Sequence, residues 1–362
     1  MSLLTNRLWE QPECTGLNRL PGRATLHPYP DEESALRLDP AGSPWVIGID
    51  GTWKFKFFER PELVEEGEVS ATLDDTGWDD IVVPGNWTMQ GWDRPHYTNV
   101  TMPFTQKPPT VPQSNPTGVY RTGFDLPTDW EQRRIVVHIG AAESVHYLYV
   151  NGAFAGMAKD SRLPSEFDIA ALAKPGRNVI AVVVIRWSDG SFLEDQDHWW
   201  MAGIHRSVHL YSTGSVYLRD VFGKGDFDAD TGDGSLDVEV SVGSDTDLDD
   251  GWVVACRLLD SDGAEICLKE GYVSRSYRGS GHSVRLLCRF PGVAPWSAES
   301  PTLYTASVTL KGPRNNVVES TAVRVGFRRI EVSDRQLLVN GQPVLFKGVN
   351  RHEHDERLGK TV

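Results

Sequence analysis

Apolar residues along this chain mostly alternate with polar ones, or follow one another for the length of a single strand; helical spacing is scarce. Such runs lie at 135–140, 144–150, 179–187, 207–211, 236–242, 252–258, 283–290, 303–310 and 322–327, with turn residues between them. Period-two runs of this length, one after another, predict strands stacked into β-sandwiches. Two Asn-Gly dipeptides, Asn151-Gly152 and Asn340-Gly341, interrupt apolar runs. Asn-Gly accepts the positive φ values of a type I′ turn, so both predict hairpins. The most apolar stretch, 179–185, has the length of a buried strand. There is no internal repeat and no low-complexity tract.

The pattern divides the chain into four segments. Residues 1–46 are polar, rich in Pro and Glu and poor in alternation, which predicts an extended arm. Residues 47–213 read as a first β domain with a Pro-rich loop at 99–116. Residues 214–329 have the size of an immunoglobulin-like sandwich. In the last segment, 330–362, the run after Asn340-Gly341 is expected to continue as a strand through Gly348-Val-Asn-Arg-His-Glu-His354. A strand this apolar needs neighbours on both sides. None follows, so the chain is expected to be cut as a third domain begins.

Composition narrows the function. A length of 362 residues predicts two or three domains. With 40% hydrophobic and 24% charged residues the chain is neither disordered nor collagenous. A net charge of −14 repels a phosphate backbone, which excludes nucleic acid as the expected partner. No run approaches the ~18 apolar residues of a membrane span, and the first residues lack a basic-then-apolar leader. A cytoplasmic protein without a membrane partner is expected. The four cysteines form no C-x-x-C pair; Cys256 and Cys288 share alternating faces with Val254 and Leu286. Buried free thiols are the expectation for all four.

Particular residues then become recognisable. Gly348-Val-Asn-Arg-His-Glu-His354 resembles the segment that opens the catalytic barrel of family 2 glycoside hydrolases. Ala202-Gly-Ile-His-Arg-Ser-Val-His-Leu-Tyr211 resembles the close of that family's sugar-binding domain. Val83-Pro-Gly-Asn-Trp87, Tyr97-Thr-Asn-Val-Thr101, Asn115-Pro-Thr-Gly118, Asp160-Ser-Arg-Leu-Pro-Ser-Glu-Phe167 and Trp187-Ser-Asp-Gly-Ser-Phe-Leu-Glu-Asp-Gln-Asp197 are similar to its long, bacterial, lactose-cleaving β-galactosidase branch. The resemblance runs from Trp9 to Val362. It implies an all-β fold for the covered chain: a jelly-roll sugar-binding domain, an immunoglobulin-like sandwich, and the first strand of a truncated (β/α)₈ barrel. The active site of such barrels lies at the C-terminal ends of the strands.

The implied activity is retaining hydrolysis of terminal β-galactosides, which needs two carboxylates about 5–5.5 Å apart. In the family both are glutamates on later barrel strands, beyond Val362, so the chain alone is expected to be inactive. The resemblance implies three site residues here. His352 matches a transition-state-stabilising histidine, Asn99 a substrate-contacting asparagine, and Asp197 an aspartate that contacts sugar hydroxyls and ligates sodium. Without the resemblance, Glu194, Asp195 and Asp197 are an acidic loop and Asn99 is a turn residue. The catalytic magnesium ligands are implied beyond Val362. A second magnesium, at the arm, would use Leu8-Trp9-Glu10-Gln11, and Leu8 cannot ligate a hard cation. The arm is implied to support a homo-oligomer, a tetramer when complete.

Other readings compete. His352-Glu-His354 lacks the four-residue histidine spacing of a zinc protease. Asp226-Phe-Asp-Ala-Asp230 lacks the glycine of a calcium loop and reads as a solvated turn. Trp187 reads as core, while Trp199 and Trp200 can stack on sugars. Asn86-Trp-Thr88 and Asn99-Val-Thr101 are sequons with no leader to expose them to glycosylation. A glucuronide- or mannoside-cleaving relative, and a stand-alone carbohydrate-binding or assembly module, are the alternatives to the galactosidase.

Overall fold

The strand Gly176–Ile185 is buried throughout its second half, from Ile180 to Ile185, so both of its faces must be covered there. In the computed structural model, which describes residues 4, 6–99, 101–275 and 281–361, it sits centrally in a seven-stranded sheet. The order is Gly16–Leu17, Ala153–Lys159, Val145–Val150, Gly176–Ile185, Thr117–Leu126, Gly51–Phe58, Asp79–Val83. Val100 and Val362, which earlier expectations touch, lie outside the described residues. A four-stranded sheet, in the order Ser165–Asp168, Arg134–Glu143, Gly203–Thr213, Val46–Gly48, completes the jelly-roll sandwich.

Alternation distributes the central strand between two cores. Ile180, Val182 and Val184 join Trp53, Phe55, Trp87, Tyr120 and Ile139 in one. Ala181, Val183 and Ile185 join Trp9, Val64, Val111, Tyr147 and Met157 in the other. The second core takes its outer cover from the N-terminal arm and from the Pro-rich loop. The arm also adds an edge strand: Gly16 and Leu17 pair with Ala158 and Met157. Gly156 permits this approach, since a Cβ there would lie 2.7 Å from the Leu17 carbonyl oxygen and 2.4 Å from the Phe167 ring. At the hairpin between Val145–Val150 and Ala153–Lys159, Asn151 and Gly152 have φ of 52° and 84°, as the dipeptide predicts.

These elements form one compact unit made of Met1–Gly22, Ile47–Tyr211 and Asn350–Val362; a second comprises Arg23–Val46 and Ser212–Val349. The first 46 residues are thus divided between the two. The second unit is the immunoglobulin-like sandwich. One sheet orders Val216–Phe227, Gly234–Ser244, His282–Phe290, Ser274–Arg275, and the other Glu265–Tyr272, Val253–Leu259, Tyr304–Lys311, Val317–Val325. Their core holds Val238, Val254, Leu286, Val308 and Phe327.

Two expectations need correction here. Cys267 and Cys288 are bonded to each other, one from each sheet, so Cys14 and Cys256 alone are free. The alternation that places Cys288 inward is right, but it says nothing of a second cysteine facing it from the opposite sheet. Burial pushes the free Cys256 thiol up to about 12. The second correction concerns the last segment. Ile330–Ser333, Gln336–Val339 and Gln342–Pro343 pair as a small sheet, with φ of 53° and 74° at Asn340 and Gly341. Residues 344–354 form no strand. Without a neighbour to pair with, an apolar run has no ladder to join. Among the described residues no helix is long and apolar enough to cross a membrane.

The three-layer packing makes Trp9 a keystone of the second core, 1% exposed. Trp9→Ala is expected to lower the unfolding free energy by about 3 kcal/mol or more. A urea midpoint unchanged from the parent would contradict this placement.

Candidate functional site

The residue after the central strand, Arg186, is 1% exposed and buried with its charge. It pairs with Asp93, donates to the carbonyls of Arg94 (3.0 Å) and Trp200 (3.3 Å), and lies 3.2 Å from His96 Nδ1. These bonds fix a two-stranded ribbon in which His96, Tyr97 and Thr98 pair with Trp200, Trp199 and His198. Trp200 Nε1 donates to Thr98 Oγ1 at 2.6 Å. Beyond the last pair, Thr98 with His198, the next residue on each strand is Asn99 and Asp197. The ribbon therefore brings two of the three expected residues to one end.

Tyr97 donates its hydroxyl to Asp197 Oδ1 at 2.5 Å; this bond and the carboxylate charge raise the phenol above its ordinary value. The Tyr97 and Trp199 rings are 5.5 Å apart, and both are about half exposed, at 52% and 44%. Trp200 and Trp187 are buried and pack edge to face, so of the three tryptophans only Trp199 presents a ring outward. Asn99 and Asp197 are exposed. Glu194, of the same acidic loop, is not solvated: it accepts the Ser161 amide at 2.8 Å and the Ser161 hydroxyl, and burial raises its pKa.

The third residue arrives from far along the chain. His352 stands with its ring 5.2 Å from that of His198, and His354 with its ring at 6.0 Å. His198 itself is neutral. Burial pushes it down to about 4, its Nδ1 meets the Trp199 carbonyl at 2.9 Å, and Arg162 donates to its Nε2 at 2.8 Å. The segment carrying His352 is held by a pair that sequence reading missed. Lys360 Nζ donates to both oxygens of Glu143, at 3.0 and 2.8 Å, and the two side chains are 6% and 5% exposed. The Lys360 amide donates to Asn86 Oδ1 at 2.7 Å. Burial opposes the charge on Glu143, but Lys360 and His205 outweigh it and its pKa is lowered. No short-range pattern could reveal a pair 217 positions apart; a lysine and a glutamate in otherwise apolar or glycine-rich surroundings was the only signal.

Two sequence decoys are resolved. Asn86 is 1% exposed, which leaves no room for a glycan. Asp226 is paired with Arg329, and Asp228 Oδ1 accepts the amides of Asp230 and Thr231, as in an ordinary turn. Among the described residues no group of three or more His, Cys, Asp or Glu is disposed to hold a metal. Asp197 supplies a single carboxylate.

Comparison with known proteins bears on this arrangement. Residues 46–214 match the family model "Glycosyl hydrolases family 2, sugar binding domain", 216–328 match "Glycosyl hydrolases family 2", and 330–362 match its TIM barrel domain. A β-galactosidase of Psychromonas ingrahamii is 37% identical over 99% of the chain, and one of Enterobacter cloacae 40% over all of it. The chain spans 35% of the length of each. Among solved structures, a Bacteroides uniformis β-glucuronidase superposes with a TM-score of 0.71 at 18% identity, over 88% of this chain and 36% of that one. A Bifidobacterium dentium β-glucuronidase gives 0.70 at 21%, over 89% and 54%. At such identities the likeness concerns the fold alone.

Two outcomes follow from the buried charges. Lys360→Met leaves Glu143 buried and unpaired, so it is expected to cost about 3–5 kcal/mol, and the double variant with Glu143→Leu much less; urea unfolding of the three variants checks this. His198 and His205 are both depressed to about 4 by burial. The unfolded chain therefore takes up more protons below about pH 6.5, and stability present above that pH drains away as pH falls toward 4. His205→Phe should flatten the slope of the unfolding midpoint against pH in this window; an unchanged slope would contradict the assignment.

Proposed function

The chain belongs to glycosyl hydrolase family 2, and on that premise we propose that it is the N-terminal portion of a retaining β-galactosidase. The substrates are terminal, non-reducing β-D-galactosides of the lactose type. The observation that carries the reading is that Asn99 and Asp197 flank the Thr98–His198 pair of the ribbon while the His352 ring lies 5.2 Å from that of His198, all within one unit. Galactose rather than glucuronate or mannose is favoured by relatives at 37–40% identity over nearly the entire chain. The β-glucuronidase structures share the fold at half that identity.

In this reading Asp197, aligned by Tyr97, accepts hydrogen bonds from sugar hydroxyls, and Asn99 both donates and accepts. The exposed Asp197 carboxylate is a hard oxygen donor suited to sodium, which would bind a hydroxyl oxygen of the sugar in turn. His352 donates to a ring hydroxyl whose bond strengthens as oxocarbenium character develops. The glutamate pair and the catalytic magnesium ligands belong to barrel strands that follow. We place the enzyme in the cytoplasm, as a homo-oligomer supported by the arm.

The test uses the complete enzyme, with chromogenic β-galactoside and β-glucuronide as substrates and the 362-residue polypeptide as the inactive control. Hydrogen bonds to a charged group are worth about 1.5–3 kcal/mol. Asp197→Asn should therefore lower kcat/KM for the galactoside by about tenfold or more and change its sodium dependence. Preference for the glucuronide, or kinetics and sodium response unchanged by Asp197→Asn, would overturn the reading.

A further inference from the structure

The resemblance implies a magnesium ion at the N-terminal arm, held through residues 8–11, and the residues present do not fit one. Leu8 offers no donor. Both oxygens of Glu10 are engaged by a guanidinium: Arg7 Nε donates to Oε2 at 2.8 Å and Nη2 to Oε1 at 2.9 Å, and Oε1 also accepts the Val111 amide at 2.9 Å. Arg7 pairs with Glu62 as well. The arm carboxylate already has its cation.

The arm's next polar group tells the same story. The Gln11 carbonyl accepts Lys159 Nζ at 2.8 Å, and the same ammonium donates to Asp189 Oδ1 at 2.6 Å. The Lys159 and Asp189 side chains are 7% and 10% exposed. Two hard oxygens, a backbone carbonyl and a carboxylate, thus converge on one buried positive charge that the polypeptide itself supplies. A divalent ion cannot share them. Asp189 is neutralised by one positive charge, and a metal there would stand beside an ammonium in a place without water to screen the two.

Lys159 is also placed to act as a fastener rather than as an incidental neighbour. It ends the Ala153–Lys159 strand, to which the arm adds Gly16–Leu17, and its amide donates to the Thr15 carbonyl at 3.1 Å. One residue therefore grips the arm twice, by main chain at Thr15 and by side chain at Gln11. Asp189 opens the short helix Asp189–Phe192, at whose start the Ser188 amide donates to the Ser191 hydroxyl and the Ser191 amide to the Ser188 carbonyl. The anion that balances Lys159 is therefore rigidly held.

We propose that Lys159 is the built-in cation of the arm: its ammonium occupies the position that a divalent metal would otherwise take, and arm docking in this chain is independent of metal. The inference stands apart from the sugar that the enzyme cleaves.

Hydrogen exchange on the 362-residue polypeptide tests it, reading the arm amides of Cys14 and Leu20, which donate to Gln11 and Glu166, against those of Gly176–Ile185 as an internal reference. For the parent, arm protection is expected to be the same in EDTA as in millimolar magnesium, with no stoichiometric metal in the purified protein. Lys159→Met is expected to lose about tenfold in arm protection or more, as befits a charge-assisted bond, with the central strand unchanged and no recovery on adding magnesium. If that variant does not fold, Asp189→Asn keeps the shape and removes the balancing charge, and is expected to loosen the arm in the same direction. Arm protection in the parent that falls in EDTA and returns with magnesium would overturn the proposal. So would an arm unaffected by both substitutions.

Discussion

A strand that is apolar on both faces imposes a third layer. A sandwich of two sheets covers one face of each, and the other face normally meets water. Here Val182 and Val184 point into the space between sheets while Val183 and Ile185 point away from it, so the outer face needs its own cover. The arm and the Pro-rich loop supply Trp9 and Val111 to that cover, joined by Val64 and Val69. An irregular segment recruited for this task carries unpaired backbone groups, which must find partners on the sheet it covers. The Lys159 ammonium and amide, which donate to the Gln11 and Thr15 carbonyls, and the Leu20 amide, which donates to the Glu166 carbonyl, are that settlement.

The candidate site depends on the same strand. Arg186 follows its last buried residue directly, so the strand's fixed position becomes the position of the guanidinium, and the guanidinium holds the ribbon. Asn99 and Asp197 are thus referenced to a buried part of the unit although both are exposed. His352 is referenced differently, through the buried Lys360–Glu143 pair, which fixes where its segment docks. The neutral His198 between them keeps two histidines close without adding a positive charge to a neighbourhood that already holds Arg162 and Lys360.

Much of this was legible in the sequence. Each alternating run fell on a strand, since a period of two is a local property, but Gly51–Phe58, Thr117–Leu126 and Val216–Phe227 were missed. Asn-Gly located both hairpins because only a few residues accept their φ values. The motifs carrying Asn99 and Asp197 lie on two strands that pair, Thr98 with His198, while the roles of the two residues belong to the proposed function. What escaped was non-local or relational. The strand expected through His354 depended on a neighbour that the pattern of its own residues cannot supply. Cys288 was read correctly as inward, yet its bond depended on Cys267 facing it across the sandwich. Lys159, Arg186 and Lys360 look like ordinary surface cations until burial is known, and their partners lie 30, 93 and 217 positions away.

The jelly-roll unit is discontinuous in sequence, made of residues 1–22, 47–211 and 350–362. During synthesis at roughly 5–20 residues per second, the arm leaves the ribosome well before Lys159, which emerges more than a hundred residues later. The Lys360 strap comes later still, after the whole immunoglobulin-like stretch. Until Lys159 is made the outer face lacks the arm's bonds, and until Lys360 is made the buried Glu143 lacks its partner. The unit therefore closes only after the immunoglobulin-like stretch has been made, and the wait of Glu143 is set by the length of that inserted domain.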